Sequence, residues 1–250
     1  MPRIEITDGV PRVEVVIPMA GDGKRFREAG HTQPKPFIDV CGRPMIVRVI
    51  ENLRPISDCF TLICRSSVVE KLESLVADMN MNIRCLPVPG LTEGSVSTVL
   101  TARDNIAPEV PVMIANADQL IEYDASAWWD HVKEKPRGHS IWLFGPASHP
   151  KWSYAKVQDG RIVEVAEKNP ISELATVGVY FWKRWDMYLR AADEMMQDDD
   201  NRVNGEWFNC PVYSQAINRG ELVRPFYPRK MIGLGTPEDL ESYLNTRRSI

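Results

Sequence analysis

The chain has 250 residues and a mass of 28.4 kDa, with 44% hydrophobic and 26% charged side chains. That balance is the one of a globular protein and excludes disordered and fibrous chains. A formal net charge of -4 offers no basic face for sequence-independent binding to DNA or RNA, so no nucleic-acid partner is expected.

The N-terminal MPRIEITDGVPR carries acids where a secretion signal needs an apolar core, and no run approaches the ~18 apolar residues of a membrane span. A cytoplasmic protein with no membrane partner is therefore expected. Five cysteines, Cys41, Cys59, Cys64, Cys85 and Cys210, include no CxxC pair and read as reduced, buried thiols.

Val13 to Ala20, VEVVIPMA, is a short β-branched run that predicts a buried strand feeding a glycine-rich loop, GDGKRF. Pro44 to Leu53 predicts a helix with Pro44 at its first position and Met45, Val49 and Leu53 on one face. CFTLICR then predicts a strand, Val68 to Asp78 a helix, NIRCLPV a strand, Ser95 to Arg103 a helix and PVMIANA another buried strand. Alternating strands and helices imply a mostly parallel sheet covered on both faces.

From Asp124 the rhythm changes. One helix is followed by four strand-like runs, SIWLFG, YAKVQ, RIVEVAEK and VGVYFW, with Asp159-Gly160 as a hairpin turn. These predict an antiparallel insert. Helices over Arg184 to Met196 and Glu206 to Arg219 flank the polar QDDDNRVNG, and the strand ELVRPFY follows. Thr236, Pro237 and Asp239 mark the start of a last helix with a capping box. The three acids Asp198 to Asp200 read as a solvated loop. The four histidines and the tryptophans lack nucleophile or metal-ligand spacing and read as packing or surface residues.

Chemistry enters at the glycine loop, where Gly21 and Gly23 let backbone N–H groups approach phosphate while Lys24 and Arg25 add charge. A dinucleotide fingerprint would need glycine where Phe26 stands, and a Walker loop would need Ser or Thr at Arg25 and glycine at Pro18. Neither fits, and a plain surface turn fits the stretch equally well. Ten residues on, PKPF pins Lys35 between two prolines, a stiff mounting that suits a phosphoryl centre. Asp118 follows the strand PVMIANA and should emerge where open α/β sheets bind ligands, although it also fits a helix cap. Alternation in RIVEVAEK sends Glu167 and Lys168 to opposite faces, one to a pocket and one to solvent. A solvated ion pair fits them too.

Taken together, IPMAGDGKRF and PKPFIDVCGRPMI resemble the signature of the nucleotidyltransferases that join sugar phosphates to nucleoside triphosphates, glucose-1-phosphate thymidylyltransferases among them. Gly94 in TEGSVSTVL, Asp118 in IANADQL, Glu167-Lys168 in VAEKNP, Gly178 in VGVYFW and GTPEDL follow in that family's order, so the resemblance covers almost the whole chain. It implies a Rossmann-like α/β fold, a mixed sheet in three α/β/α layers similar to GT-A proteins. One domain would span residues 1–250, with a nucleotide-binding half over 13–123 and an acceptor-binding half over 124–250 that includes a small antiparallel acceptor-binding part.

The resemblance further implies that Ala20, Gly21, Gly23, Lys24, Arg25 and Gly94 bind the nucleotide, and that Glu167, Lys168 and Gly178 bind the acceptor. Asp118 would hold Mg²⁺, and Arg25, Lys35 and Lys168 would carry catalysis. Its substrates are a nucleoside triphosphate and a phosphorylated small molecule, with a sugar 1-phosphate foremost, and the product serves nucleotide-sugar and polysaccharide biosynthesis. A homo-oligomer is compatible with it. Two other readings stay open, a cytidylyltransferase acting on a non-sugar phosphate or phosphonate such as phosphocholine, and a catalytically silent nucleotide-sugar-binding protein. The base and the acceptor are not fixed by the sequence. One departure stands out: many relatives carry a metal-binding aspartate two residues before the glycine of GT, where this chain has Gly233. A single-carboxylate site, a compensating acid from elsewhere, or a silent protein would each follow.

Overall fold

A computed structural model describes residues 12–134 and 138–248. The N-terminal stretch 1–11, on which the absence of a secretion signal was read, lies outside the described residues. Among these, no helix is long and apolar enough to cross a membrane.

The first half alternates as its periodicity predicts. Strand β1 (Glu14–Pro18) leads to α1 (Lys24–Glu28), α2 (Met45–Leu53), β2 (Cys59–Arg65), α3 (Val69–Val76), β3 (Asn82–Val88), α4 (Ser95–Val99) and β4 (Val112–Ala115). The predicted glycine-rich loop thus contains a short helix, α1. Pro44 is extended, with ψ 143, and stands just outside α2 rather than at its first position. The chain then runs through β5 (Gln119–Glu122), α5 (Ala125–Lys133), β6 (His139–Phe144), β7 (Ser153–Gln158), β8 (Arg161–Glu167) and β9 (Ala175–Trp182). It closes with α6 (Trp185–Met195), α7 (Val212–Asn218), β10 (Val223–Phe226), β11 (Lys230–Gly233) and α8 (Pro237–Arg248).

The main sheet has the order β10-β6-β9-β4-β1-β2-β3. Parallel pairing joins β1 to β2 and β4, β2 to β3, and β6 to β10. β9 runs against both its neighbours, with Val112 opposite Trp182. The expected antiparallel insert is therefore smaller than predicted: β6 and β9 belong to the central sheet, and only the β7–β8 hairpin projects from it, through Tyr154 opposite Ala175. The reason lies in burial, since all eight residues of β9 are buried, and a strand covered on both faces loses the alternation that marks a half-buried one.

Alternation within the strands builds the three layers. Val15, Ile17, Phe60, Leu62, Met113 and Phe181 enter one core with Ile46, Ile50, Leu72 and Trp128 from α2, α3 and α5. Val16, Ile63, Val112, Ile114 and Trp182 enter the other with Val96, Tyr188, Tyr213 and Ala216 from α4, α6 and α7. Successive side chains of a strand point to opposite faces, so each strand feeds both cores. Each fully buried Val, Leu, Ile or Phe contributes about 1.5–3 kcal/mol relative to exposure. A third, smaller cluster of Phe26, Ile38, Val40, Met45, Leu234 and Leu240 ties α1 and α8 to the mouth of the sheet.

The segment 206–211 departs from its predicted helix, which begins only at Val212 behind Pro211. Trp207 instead pairs with Gly94. Not all the cysteines are buried: Cys59, Cys64 and Cys210 are, Cys85 is half-buried and Cys41 is exposed, and all five are free. Burial pushes the Cys59 thiol up to about 12.

Candidate active site

The carboxyl ends of β1 and β4 and the start of the reversed β9 open onto one cleft of about 470 Å³. Gly21, Gly23, Arg25, Lys35, Asp118, Glu167, Lys168 and Gly178 all line it. Three other sequence-selected residues do not. Ala20 is buried in the core, Gly94 stands behind the lining at Ser95, and Lys24 reaches outward to within 3.7 Å of Glu28. The split between Lys24 and Arg25 follows from α1, whose start at Lys24 turns successive side chains about 100° apart. Below them Arg27 clamps Asp22, and that hydrogen bond holds the Asp22 carboxyl below its ordinary range.

Lys35 opens a single 3₁₀ turn after the extended Pro34. Its ammonium donates to the Asp118 carboxylate, lies 3.4 Å from the Gly235 carbonyl oxygen and 5.6 Å from the Phe26 ring centre. Asp118 is placed by the turn between β4 and β5, where the Asn116 N–H donates to the Gly178 carbonyl at 3.0 Å and the Leu234 N–H to the Asp118 carbonyl at 2.8 Å. Gly178 has φ 72, and a Cβ there would sit 2.8 Å from Gln119 Oε1, so only glycine admits these neighbours. Gln119 is buried, and its Oε1 has no hydrogen-bond partner among the described residues.

On the other wall, Glu167 ends β8 and accepts a hydrogen bond from Ser153 Oγ. Burial raises its carboxyl above the ordinary range, with the Ser153 hydrogen bond opposing. Lys168 adopts a left-handed backbone, φ 54, and this corrects the expectation that it and Glu167 part company. The turn breaks the strand's alternation and both side chains face the cleft. The Lys168 N–H donates to Trp152 at 3.0 Å, and its ammonium lies 4.3 Å from the Phe208 ring centre.

Phe208 reaches that position because of Gly94. With φ 115, a Cβ on Gly94 would overlap the Trp207 backbone, 3.1 Å from its carbonyl carbon. The missing side chain lets Trp207 N–H bond Glu93 at 2.8 Å and Val96 N–H bond Trp207 at 3.1 Å. Glu206, Phe208 and Asn209 are thereby delivered to the cleft. The sequence reading missed these, together with Gln119, Lys151, Trp152, Ser153 and Asp239. For Phe208 a signal existed: Pro211 cannot sit inside a helix without losing a hydrogen bond.

Asp239, in the first turn of α8, takes the Thr236 Oγ1 cap through its N–H at 3.1 Å, but its carboxylate lies 3.5 Å from Lys151. No cluster of three His, Cys, Asp or Glu residues suited to a metal occurs among the described residues. The donor set around Asp118 nevertheless fits a hard cation, because the Lys35 ammonium already sits between its carboxylate and the Gly235 carbonyl, and oxygen ligands are what Mg²⁺ takes.

A mixed sheet opening at its strand ends onto a cleft with a glycine loop and facing lysines defines an open α/β protein of the ligand-binding kind. The Nucleotidyl transferase family profile matches residues 14–240, and the chain belongs to that family. It is 28% identical over 173 residues to the bifunctional protein GlmU of Methanocaldococcus jannaschii, covering 67% of this chain and 39% of that protein. It is 26% identical over 178 residues to the N-acetylmuramate alpha-1-phosphate uridylyltransferase of Neisseria meningitidis serogroup B, covering 67% of this chain and 75% of the other. The fold is shared with the nucleoside-diphosphate-sugar pyrophosphorylase of Vibrio cholerae, with a TM-score of 0.78 at 24% identity over 92% of this chain and 99% of that one. It is also shared with the inositol-1-phosphate CTP transferase of T. maritima, with a TM-score of 0.71 at 15% identity over 95% and 96%. The family commonly uses divalent metal ions.

Proposed function

We propose that this protein is a nucleotidyltransferase that couples a nucleoside triphosphate to a phosphorylated small acceptor, with a sugar 1-phosphate as the first candidate, and releases pyrophosphate. The observation that carries the reading is the placement of Lys35 and Lys168, one from each half of the chain, on a single cleft beside Asp118. A phosphate oxygen of the acceptor attacks the α-phosphorus; the new P–O bond forms as the bond to the β-phosphate oxygen breaks, and pyrophosphate leaves with that electron pair.

Both reactants are anions, so the chain's work is positioning and neutralising charge. In this reading the loop amides at Gly21 and Gly23, with Arg25 and Lys35, hold the triphosphate. Lys168 brings in the acceptor phosphate, and Glu167 receives hydroxyls of the acceptor through its carboxylate. Asp118 would hold Mg²⁺, and the ion would supply neutralisation of phosphate charge. The buried amide of Gln119 lies beside Gly178 on the acceptor side.

The test is a matrix of four triphosphates against phosphorylated acceptors, read by pyrophosphate release with and without Mg²⁺. The panel holds sugar 1-phosphates, phosphocholine and a phosphonate. Release with one triphosphate and a sugar 1-phosphate is the expected result; release with phosphocholine or the phosphonate alone moves the acceptor class, and silence throughout leaves a binding protein.

A further inference from the structure

We propose that Asp239 is a second carboxylate for the divalent cation, acting beside Asp118, and that Lys151 occupies it until substrate arrives. The inference rests on the metal-dependent reading above. It starts from the short run Gly233-Leu234-Gly235 that leaves β11. Leu234 is fully buried, so positions 233 and 235 face the other way, into the cleft that both line. Two residues of extended chain set them roughly 7 Å apart.

Each glycine lies beneath a carboxylate. A Cβ on Gly235 would stand 3.0 Å from Asp118 Oδ2, and a Cβ on Gly233 would stand 3.6 Å from Asp239 Oδ2 and 3.7 Å from its Cγ. The backbone of Gly233 does not demand glycine, because a Cβ there meets nothing closer than ordinary contact. At the bare position the Asp239 carboxylate stands where a side chain of residue 233 would begin.

Both acids carry a lysine. Lys35 holds Asp118 and Lys151 holds Asp239 at 3.5 Å, so each carboxylate already has an ammonium in contact. Capping uses the Asp239 N–H and the Thr236 hydroxyl, so the Asp239 carboxylate, favourably placed in the first turn of α8, is left out of the cap and lines the cleft. Mg²⁺ takes one or two carboxylates together with phosphate oxygens and waters. One acid can touch the cation while the other orients its water. A triphosphate competes for the lysines, and their departure exposes two negative charges to the incoming cation.

Mn²⁺ binding followed by electron paramagnetic resonance tests this on the full chain, with and without the α,β-methylene analogues of the four triphosphates. Wild-type protein is expected to hold Mn²⁺ tightly only when an analogue is present. Asp239→Asn should weaken that binding about 10–100-fold, the usual effect of removing an outer partner of a metal. Lys151→Ala should tighten Mn²⁺ binding to the analogue-free protein, a gain that a purely structural ion pair would not give. Wild-type Mn²⁺ affinity in Asp239→Asn overturns this inference alone, whereas no Mn²⁺ uptake by wild-type protein with any analogue overturns the metal reading as well. If Asp239→Asn lowers the melting temperature, Lys151→Ala decides: unchanged or weaker Mn²⁺ binding refutes the inference.

Discussion

Two glutamates show how differently this fold treats one side chain. Glu167 in the cleft meets a single hydroxyl, Ser153, and burial wins, so its carboxyl is raised above the ordinary range. Glu221 lies away from the cleft, where it accepts from Arg219 Nε at 2.8 Å, Arg190 at 3.0 Å and His139 Nε2 at 2.7 Å. Burial pushes its carboxyl up, yet the hydrogen bonds from His139 and Arg219, with the Arg219 charge, bring it down to about 2. His139 is itself fully buried, and desolvation lowers its pKa; a neutral ring donating to Glu221 is the state consistent with that burial. A region that only holds the protein together gives its charges several rigid partners. A region that must accept a charged ligand keeps them sparsely paired, as lysines on flexible stems.

That contrast breaks first at Asp118. Asp118→Asn is expected to abolish Mg²⁺-dependent pyrophosphate release while circular dichroism shows an unchanged fold, because the amide keeps the shape and loses the charge; persistent activity at the same Mg²⁺ concentration would move the metal elsewhere. Lys35→Ala should come next, with turnover lower by about 10²–10³, or ~2.7–4 kcal/mol, the usual effect of losing one donor to transition-state charge. Lys168→Ala should lose a comparable factor and raise the acceptor KM; a rise confined to the triphosphate KM would reassign it.

The two glutamates sharpen the contrast with opposite signs. Glu221→Gln should cost about 1–3 kcal/mol of stability at pH 7, with near wild-type turnover, since buried hydrogen-bond partners lose an acceptor charge. Its depressed pKa means that the wild type holds this stability above pH 4.5, the ordinary value, and loses it as the pH falls toward about 2. The variant's urea midpoints at pH 6 and pH 3 should therefore differ less than those of the wild type. For Glu167 the raised pKa gives stability below the ordinary value that is lost as the pH rises through the folded value. Glu167→Gln is therefore expected to melt slightly higher than wild type at pH 7 and to bind acceptor more weakly, the exchange of stability for function seen at many sites. A lower melting temperature at pH 7 would mean that the Ser153 hydrogen bond outweighs burial.

Sequence made some of this visible for local reasons. Lys35 was legible because flanking prolines restrict it, and Asp118 because it follows an apolar run that ends at a sheet's carboxyl edge. The α/β layers were legible because the first-half strands are short apolar runs alternating with amphipathic helices. Lys168 was misread because a left-handed backbone at a lysine carries no compositional mark, unlike one at glycine. Asp239 was explained away by a capping motif it satisfies only through its N–H. Pro211 marks the stretch around Phe208 as non-helical, but its place in the cleft depends on a contact between residues 94 and 207, which no local pattern encodes.

The reversed strand β9 also bears on how the chain is made. Until β9 emerges from the ribosome, β4 is an unpaired edge whose four residues, Val112 to Ala115, are all destined for burial. Apolar edges of that kind recruit foreign strands. At about 5–20 residues per second, synthesis leaves this edge uncovered for several seconds. A polypeptide halted before residue 175 would carry a nearly finished nucleotide-side sheet with a sticky flank, so aggregation of truncated products, rather than their unfolding, is the hazard this topology creates.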